Sequence, residues 1–325
     1  MDSSWTQSWK EEFRVHKLYF LISKPELLLQ PRWDIHPLLW LVYRCFMLVY
    51  TFTWFIYTAL CLNTPKFFIF LSHISYCLMV IYYLVSLSNL TWAFLEIRCC
   101  SYRMKRGVSS ECENLPSLSV PLRDALVLQW FLHSLMGCLS FSVSFLYWTI
   151  LYPFNPYSIT TFNININIHA INSIQTAMDL FLSCTPVHLT HLYSAVLAGA
   201  LYVIFAVVYW LLGGTNILDE PYIYSILDFS RCPLVATLCI LGVCLVCLPF
   251  CHFVLWNLQL LREWMASREK ARRIALKREV WWWVKVSGGT TFDLVTSLDP
   301  TASVFEMRRT AATAEDQQSQ SVTPV

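Results

Sequence analysis

A row of polar side chains recurs within the apolar stretch INIHAINSIQTAMDLFLS, residues 166–183. Its members are separated by 3, 4, 3 and 4 residues, which places them on one face of a helix. They are His169, Asn172, Thr176, Asp179 and Ser183. An ionised aspartate near the middle of a bilayer costs about 2.5–3.5 kcal/mol even on insertion scales. We therefore expect this polar stripe to face the interior of a helix bundle.

Two interpretations of the stripe are open. In the structural one, His169, Asn172 and Asp179 form interhelical hydrogen bonds, each worth about 0.6–2 kcal/mol. In the functional one they belong to a site, because ionisable residues inside membrane spans frequently mark function. Such a site would pair His169 with Ser72 of the stretch FLSHIS, since a hydroxyl and an imidazole at one depth can serve as nucleophile and base. Asn172 and Asp179 would be its polar neighbours, and a lipid in the bundle could be its ligand.

The composition assigns the chain to a structural class. Of its 325 residues, 56% are hydrophobic and 14% are charged, whereas soluble domains carry about 25% charged residues. Six stretches approach or exceed the about 20 residues that span a bilayer. They are residues 37–61, 67–90, 125–148, 166–184, 192–212 and 233–260. The sequence thus predicts an all-α polytopic membrane protein with six transmembrane helices in a domain covering residues 37–261.

The positions of Lys and Arg predict the orientation of these spans. Residues 1–36 hold five of them, the connection between the second and third spans holds five, and the segment after residue 261 holds ten. These 20 of the 23 basic residues lie on one side if both termini are cytoplasmic, as the positive-inside rule favours. Lys66 and Arg231 would face the other side. The composition does not distinguish the plasma membrane from an endomembrane.

The two ends of the chain have their own patterns. Residues 1–36 form a cytoplasmic N-terminal segment in this topology. Residues 262–286 are basic and contain Trp281 to Trp283, which is typical of a juxtamembrane helix at the interface or of a solvated extension of the last span. Residues 287–325 have few large apolar side chains and are predicted to be a disordered cytoplasmic tail. The tail ends in Thr323–Val325, a pattern that PDZ domains bind, so a PDZ protein is a candidate partner at Val325.

The expected partners follow from this arrangement. The basic cytoplasmic face predicts contact with the anionic leaflet of the bilayer. Nucleic acid is not expected as a partner, because no reading motif is present. Cys99 and Cys100 lie beside Arg98 at a cytoplasmic membrane edge, which makes them candidates for palmitoylation. The cysteine and histidine spacings do not predict a metal site, and no cofactor is expected.

Several motifs in order resemble the rolling stone family of multi-pass membrane proteins, named for an insect protein implicated in myoblast fusion. The similar stretches are HAINS from His169, the block with Asp179, Pro186, Val187 and His191, YWLLGGTN from Tyr209, and YIYSILDFSRCP from Tyr222. The likeness covers most of residues 12–262. Phe229 departs from the family pattern, which has Trp there. The resemblance implies a role in development or cell–cell fusion. The first hypothesis is therefore a membrane protein with such a role that acts through its non-cytoplasmic loops and without catalysis.

A more distant similarity is to the androgen-induced family of membrane hydrolases, which cleave fatty acid esters of hydroxy fatty acids. Ser72 falls where that family has a nucleophilic Thr. Residues 169–172, HAIN, match a family pattern whose second His is catalytic, but here that position is Asn172. Asn cannot act as a general base, so His169 would have to take this role. The resemblance therefore implies, as the alternative function, an intramembrane lipid-ester hydrolase using Ser72 and His169.

Overall fold

The computed structural model describes residues 12–20, 24–105, 118–154 and 161–286, and these segments are helical with short connections. The described residues contain no β-sheet, and their one isolated bridge joins Pro31 to Ser183. The all-α class predicted from composition is confirmed.

Among the described residues, six long helical elements, named α1 to α6 in chain order, make up the bundle. Three of them, α3, α4 and α6, are interrupted by a π-helical turn. Their bounds are α1, Pro37–Leu62; α2, Leu71–Lys105; α3, Val120–Leu146 with the π-turn Tyr147–Leu151 and then Tyr152–Phe154; α4, Phe162–Ile166, the π-turn Asn167–Ile171 and Asn172–Leu182; α5, Leu192–Leu211; and α6, Pro233–Gly242, the π-turn Val243–Cys247 and Leu248–Val286. Shorter 3-10 turns cover Val15–Leu18, Pro25–Leu29, Pro65–Ile69, Leu189–His191 and Ser225–Leu227.

Five of these helices are long and apolar enough to cross a membrane. The qualifying segments are Pro37–Leu62, Leu71–Glu96, Val120–Leu151, Leu189–Leu211 and Pro233–Ile274. They correspond to five of the six predicted spans. The remaining predicted span, residues 166–184, lies on α4, which is not among the five within the described part of the chain. The polar stripe explains this difference, because it lowers the hydropathy of α4 while leaving the helix about 30 Å long.

Proline fixes where several helices begin. Pro37 and Pro233 occupy the first position of α1 and α6, where a missing N–H breaks no helical hydrogen bond. Pro65 likewise starts the 3-10 turn Pro65–Ile69. This turn occupies the beginning of the predicted second span, so α2 starts at Leu71 and not at residue 67.

The bundle is held by apolar clusters between adjacent helices. Met47 of α1 packs with Met79 and Tyr82 of α2 and with Met136 of α3. A second cluster joins α3, α4, α5 and α6. Its fully buried members include Leu139, Leu180, Ala195 and Leu248. The exposed apolar side chains lie on the outer surface, as expected for a lipid-facing bundle.

The part of α6 from Leu261 to Val286 forms a compact unit distinct from the rest. Within it, Arg268 lies over the Trp264 ring at 4.3 Å, and Arg273 Nε lies 3.1 Å from Glu269 Oε1. These exposed i,i+4 contacts are typical of a solvated helix and contribute at most about 1 kcal/mol each.

Candidate functional site

The polar stripe of α4 is buried against its neighbours. All five of its side chains are at most 9% exposed, whereas Ile174 and Met178 between them are 56% and 45% exposed. The stripe therefore faces the bundle interior, as its spacing predicts, and lipid would meet the apolar face.

Asp179 lies at one end of the stripe, in a buried cluster of charged and phenolic groups. Its Oδ1 accepts a hydrogen bond from Arg44 Nη1 at 2.6 Å and a longer one from the Tyr43 hydroxyl at 3.3 Å. Its Oδ2 accepts from the Tyr82 hydroxyl at 2.5 Å, and His133 Nε2 lies 3.8 Å away. Four helices thus meet at one carboxylate whose oxygens are both satisfied.

Arg44 is the central residue that sequence reasoning missed. It is the basic residue left over when the others are sorted to the two sides of the membrane, and it lies inside the apolar run of α1. Its guanidinium is 1% exposed and stacks over the Trp40 ring at 4.4 Å. A cation within a membrane span needs a buried partner of opposite charge, so the position of Arg44 in the sequence already indicated a buried ion pair. The choice of Asp179 as that partner depends on tertiary packing.

The middle of the stripe forms interhelical hydrogen bonds. Asn172 Oδ1 accepts from the Ser144 hydroxyl of α3 at 2.9 Å, and the Ser144 and Ser173 hydroxyls are 2.6 Å apart. Thr176 bonds the Asn172 carbonyl of its own helix. Asn172 therefore joins α3 to α4, which matches the structural interpretation of this position.

His169 lies at the other end of the stripe. Its ring stacks on Tyr147 at 3.6 Å with an interplanar angle of 6°, and Trp148 Nε1 donates to its backbone carbonyl at 2.8 Å. Its Nδ1 is buried and has no hydrogen-bond partner among the described residues. The imidazole is therefore fixed in orientation while part of its hydrogen-bonding capacity is unused.

A cavity of about 790 Å³ opens beside His169. This volume lies within the about 300–1,000 Å³ of small-molecule sites. Its walls come from the start of α2, the end of α3, α4, α5, α6 and the connection from Asn216 to Leu227. Each of the π-turns in the described bundle contributes to the wall, through residues such as Tyr147, His169 and Val243. Such turns occur frequently at functional sites.

Ser72 and His169 both line this cavity, together with His73. His73 Nδ1 lies 2.8 Å from the Phe67 carbonyl, so this nitrogen carries the proton that the bond requires, and the ring stacks on Phe67. Ser72 and His169 share the cavity, but no hydrogen bond between their side chains occurs among the described residues. Asn172 and Asp179 are not on the described cavity wall.

The connection between α5 and α6 closes the cavity at one end and is internally ordered. Lys66 Nζ donates to Thr215 Oγ1 and to the Asn216 carbonyl, each at 2.7 Å, and to Asp219 Oδ1 at 2.9 Å. These bonds lower the pKa of Asp219. Asn216 Oδ1 accepts from the backbone N–H groups of Leu218 and Glu220.

At the opposite end of the bundle, Glu12 joins the N-terminal segment to the connection between α4 and α5. Its carboxylate accepts from Lys17 Nζ at 2.6 Å and from the Leu189 N–H at 3.0 Å, and His188 Nδ1 lies 3.5 Å away. Burial acts to raise the pKa of Glu12, but the nearby His188 ring and the hydrogen bond from Lys17 outweigh it and lower the pKa to about 2.

Several predicted features fall outside the described residues. The side chains of Cys99, Cys100 and Trp281 to Trp283 are among them, as are residues 287–325 with the Val325 terminus. Palmitoylation, the interfacial Trp cluster and the PDZ motif therefore stay predictions. Within the described part of the chain, no group of three His, Cys, Asp or Glu side chains could hold a metal ion.

The helices and the buried stripe define an all-α, multi-pass membrane protein with a cavity inside its bundle. A family model described as protein rolling stone matches residues 2–271, and the chain belongs to that family. It is similar to protein rolling stone of Drosophila melanogaster, with 25% identity over 167 residues. The match covers 51% of this chain and 57% of the fly protein, so the chain spans little more than half of that relative. No solved structure matches the chain.

Proposed function

We propose that this chain is a six-span membrane protein that acts in cell–cell fusion or development through its non-cytoplasmic loops and without catalysis. The family resemblance implies the fusion role. The observation that carries the loop assignment is the network in which Lys66 bonds Thr215, Asn216 and Asp219. A connection held in one conformation presents a defined surface to a neighbouring cell. Because it is already ordered, binding a partner does not require the further loss of conformational entropy.

The sixth span would be α4, and its contacts support a full crossing. Along α4, Asn167 bonds Tyr76 of α2, and Asp179 bonds Tyr82 of the same helix. The residues thus pair in the same order, so the two helices run in parallel. Against α3 the order is reversed, from Trp148 at His169 to His133 at Asp179. Parallel and antiparallel neighbours thus alternate as six consecutive crossings require, and an even number of crossings would leave both termini on one side of the membrane.

Epitope tags at the two ends of the full chain test this topology. Six spans with cytoplasmic ends predict that neither tag binds antibody in intact cells and that both tags bind it once the plasma membrane alone is permeabilised. Five spans would place the tags on opposite sides. One tag would then be stained in intact cells if the protein is in the plasma membrane, or would stay unstained after permeabilisation of the plasma membrane alone if the protein is in an endomembrane.

The fusion role is tested in myoblast-type cells that carry complementary halves of a split reporter. Lys66→Met removes the bonds that hold the connection between α5 and α6, so we expect reporter signal to fall at unchanged surface level. Glu220→Gln is the matched control, because it removes a charge from the same connection while the Glu220 N–H keeps its bond to Asn216. Normal fusion by Lys66→Met, or by cells lacking the protein, would overturn the role.

A second candidate function is intramembrane hydrolysis of a lipid ester with Ser72 as nucleophile and His169 as base. The observation that favours it is that both side chains line one cavity. Purified wild type would be treated with a fluorophosphonate probe beside Ser72→Ala and His169→Ala. Labelling that is lost in both variants supports the hydrolase. Unlabelled, folded wild type rejects it.

A further inference from the structure

The cavity beside His169 has a polar end and apolar walls. Its polar side chains include Ser72, His73, Asn165, His169, Tyr202 and Tyr224. Two of these hydroxyls already have backbone partners, since Tyr202 donates to the Ile69 carbonyl and Tyr224 accepts from the Leu71 N–H. His169 Nδ1 has none among the described residues. The rest of the wall is mostly Leu, Val, Ile and Phe.

The charge on the wall limits what can bind. The described lining residues include no Asp, Glu, Lys or Arg. A phosphate or carboxylate in such an apolar space would be an ion without a counter-ion, which is strongly unfavourable. Hydroxyl, ester and amide groups, in contrast, can bond hydroxyl, amide and imidazole side chains. The site therefore favours an uncharged hydrogen-bonding group over an ionic one.

The cavity opens toward the lipid-facing surface of the bundle. Phe145 at the end of α3 and Val246 and Phe250 of α6 line it, yet they are 44%, 66% and 52% exposed. The centroids of the Phe145 and Phe250 rings lie 6.1 Å apart, so these two rings pack against each other at this side of the cavity. The connection from Asn216 to Leu227 forms the wall at the aqueous end. A ligand with a long alkyl chain can thus enter from the bilayer.

We propose that this cavity is a binding site for an uncharged lipid, whose alkyl chain lies against α5 and α6 and whose hydroxyl, ester or amide group meets Asn165 and His169. The ligand enters from the bilayer at the lipid-facing side of the cavity, where Val246 lies beside the Phe145 and Phe250 rings. This site is independent of the surface proposed for fusion, and it requires no catalysis.

The test compares two photoactivatable probes that differ by one phosphate. The full chain, purified into phosphatidylcholine nanodiscs, is illuminated with an ether-linked alkylglycerol that carries a diazirine, or with the same alkylglycerol bearing a phosphate. The ether linkage prevents cleavage. We expect the uncharged probe to label peptides of the cavity wall about tenfold more strongly, and excess unlabelled alkylglycerol to compete. Equal or stronger labelling by the phosphate probe would overturn the uncharged ligand, and labelling spread evenly over the outer surface would overturn the site.

A pair of substitutions on α6 tests the location. Gly242 lines the cavity, and a Cβ there would meet no atom within 4 Å, so Gly242→Leu is tolerated by the backbone and fills space. It should reduce cavity labelling severalfold. Leu241→Phe is the control, since Leu241 is 47% exposed and absent from the described wall. Unchanged labelling of the cavity wall in Gly242→Leu would contradict the site. If this variant does not fold, the comparison of the two probes on the wild-type protein tests the site.

Discussion

The Nη1 atom of Arg44 lies 2.6 Å from Oδ1 of Asp179, and these side chains are 1% and 0% exposed. The pair joins α1 to α4, and the Tyr82 hydroxyl adds α2 to the same carboxylate. Each charge in this arrangement is tolerated inside the membrane because the other is present. The Asp179 end of the polar stripe therefore stabilises the fold and is separate from the cavity at the His169 end. The ion pair of Arg44 and Asp179 is called the lock below.

Substitution of one partner of this lock should lower the free energy of unfolding strongly, whereas substitution of both partners should lower it much less than the two single changes together. Asp179→Asn leaves the Arg44 charge uncompensated, and we expect a loss of about 3–5 kcal/mol in the free energy of unfolding. The combined Arg44→Met and Asp179→Leu variant should lose much less than the sum of the single changes. Unfolding in detergent with increasing SDS measures both. Thr149→Val, at an exposed position, is the control, and additive losses in the double variant would contradict the lock.

The bond between Ser144 and Asn172 should contribute modestly to stability. A double-mutant cycle with Ser144→Ala and Asn172→Ala is expected to give a coupling energy of about 0.6 kcal/mol and at most about 1.7 kcal/mol. The same SDS titration measures it. Ser144→Ala combined with Thr91→Val, toward the other end of the bundle, should be additive. Zero coupling between Ser144 and Asn172 would remove the structural interpretation of Asn172.

Glu12 makes the attachment of the N-terminal segment depend on pH. Its pKa is lowered to about 2 in the folded protein from an ordinary 4.5, so the ionised carboxylate stabilises the folded state above about pH 4.5. This stabilisation is lost as the pH falls from 4.5 toward 2. Thermal unfolding of wild type and Glu12→Gln should therefore differ at pH 7 and converge toward pH 2. A difference that stays constant over this range would show that the Glu12 charge is not involved.

Asn216 should hold the connection between α5 and α6 in place. Its side chain is 6% exposed and accepts two backbone N–H groups, so Asn216→Ala leaves those donors without their partner. We expect the free energy needed to open this connection to fall by about 1–3 kcal/mol. A protease added to intact cells should therefore cleave residues 213–232 faster. Glu220→Gln should be cleaved at the wild-type rate, and equal rates for all three proteins would refute the role of Asn216.

Much of the fold could be predicted from the sequence because membrane spans follow from length and hydropathy. The start of α1 at Pro37 and the inward face of α4 are examples, since proline geometry and a 3–4 spacing are local properties. The π-turns, the cavity and the Arg44–Asp179 contact could not be predicted in this way. They depend on which helices are adjacent, and hydropathy does not encode adjacency. The sequence shows Arg44 as a cation within a span, but its structural role follows only from its contact with Asp179.

The candidate site residues could likewise be predicted only in part, because their contacts depend on which helices are adjacent. Depth in the membrane and a family pattern predict Ser72 and His169 as a pair, and both residues line the cavity. Their chemistry depends on relative placement, which depth does not determine. The sequence predicts Asn172 and Asp179 as polar neighbours of that pair, but Asn172 contacts Ser144 and Asp179 contacts Arg44.

The most direct test is the chemical state of an ester lipid held by the protein. The wild-type chain in phosphatidylcholine nanodiscs would be incubated with an ester-linked monoacylglycerol, re-isolated and analysed by mass spectrometry beside Ser72→Ala and His169→Ala. Binding without catalysis predicts intact monoacylglycerol on the wild-type protein and no fatty acid above that of empty nanodiscs. Release of fatty acid by wild type that is lost in both variants would contradict the account and establish a hydrolase.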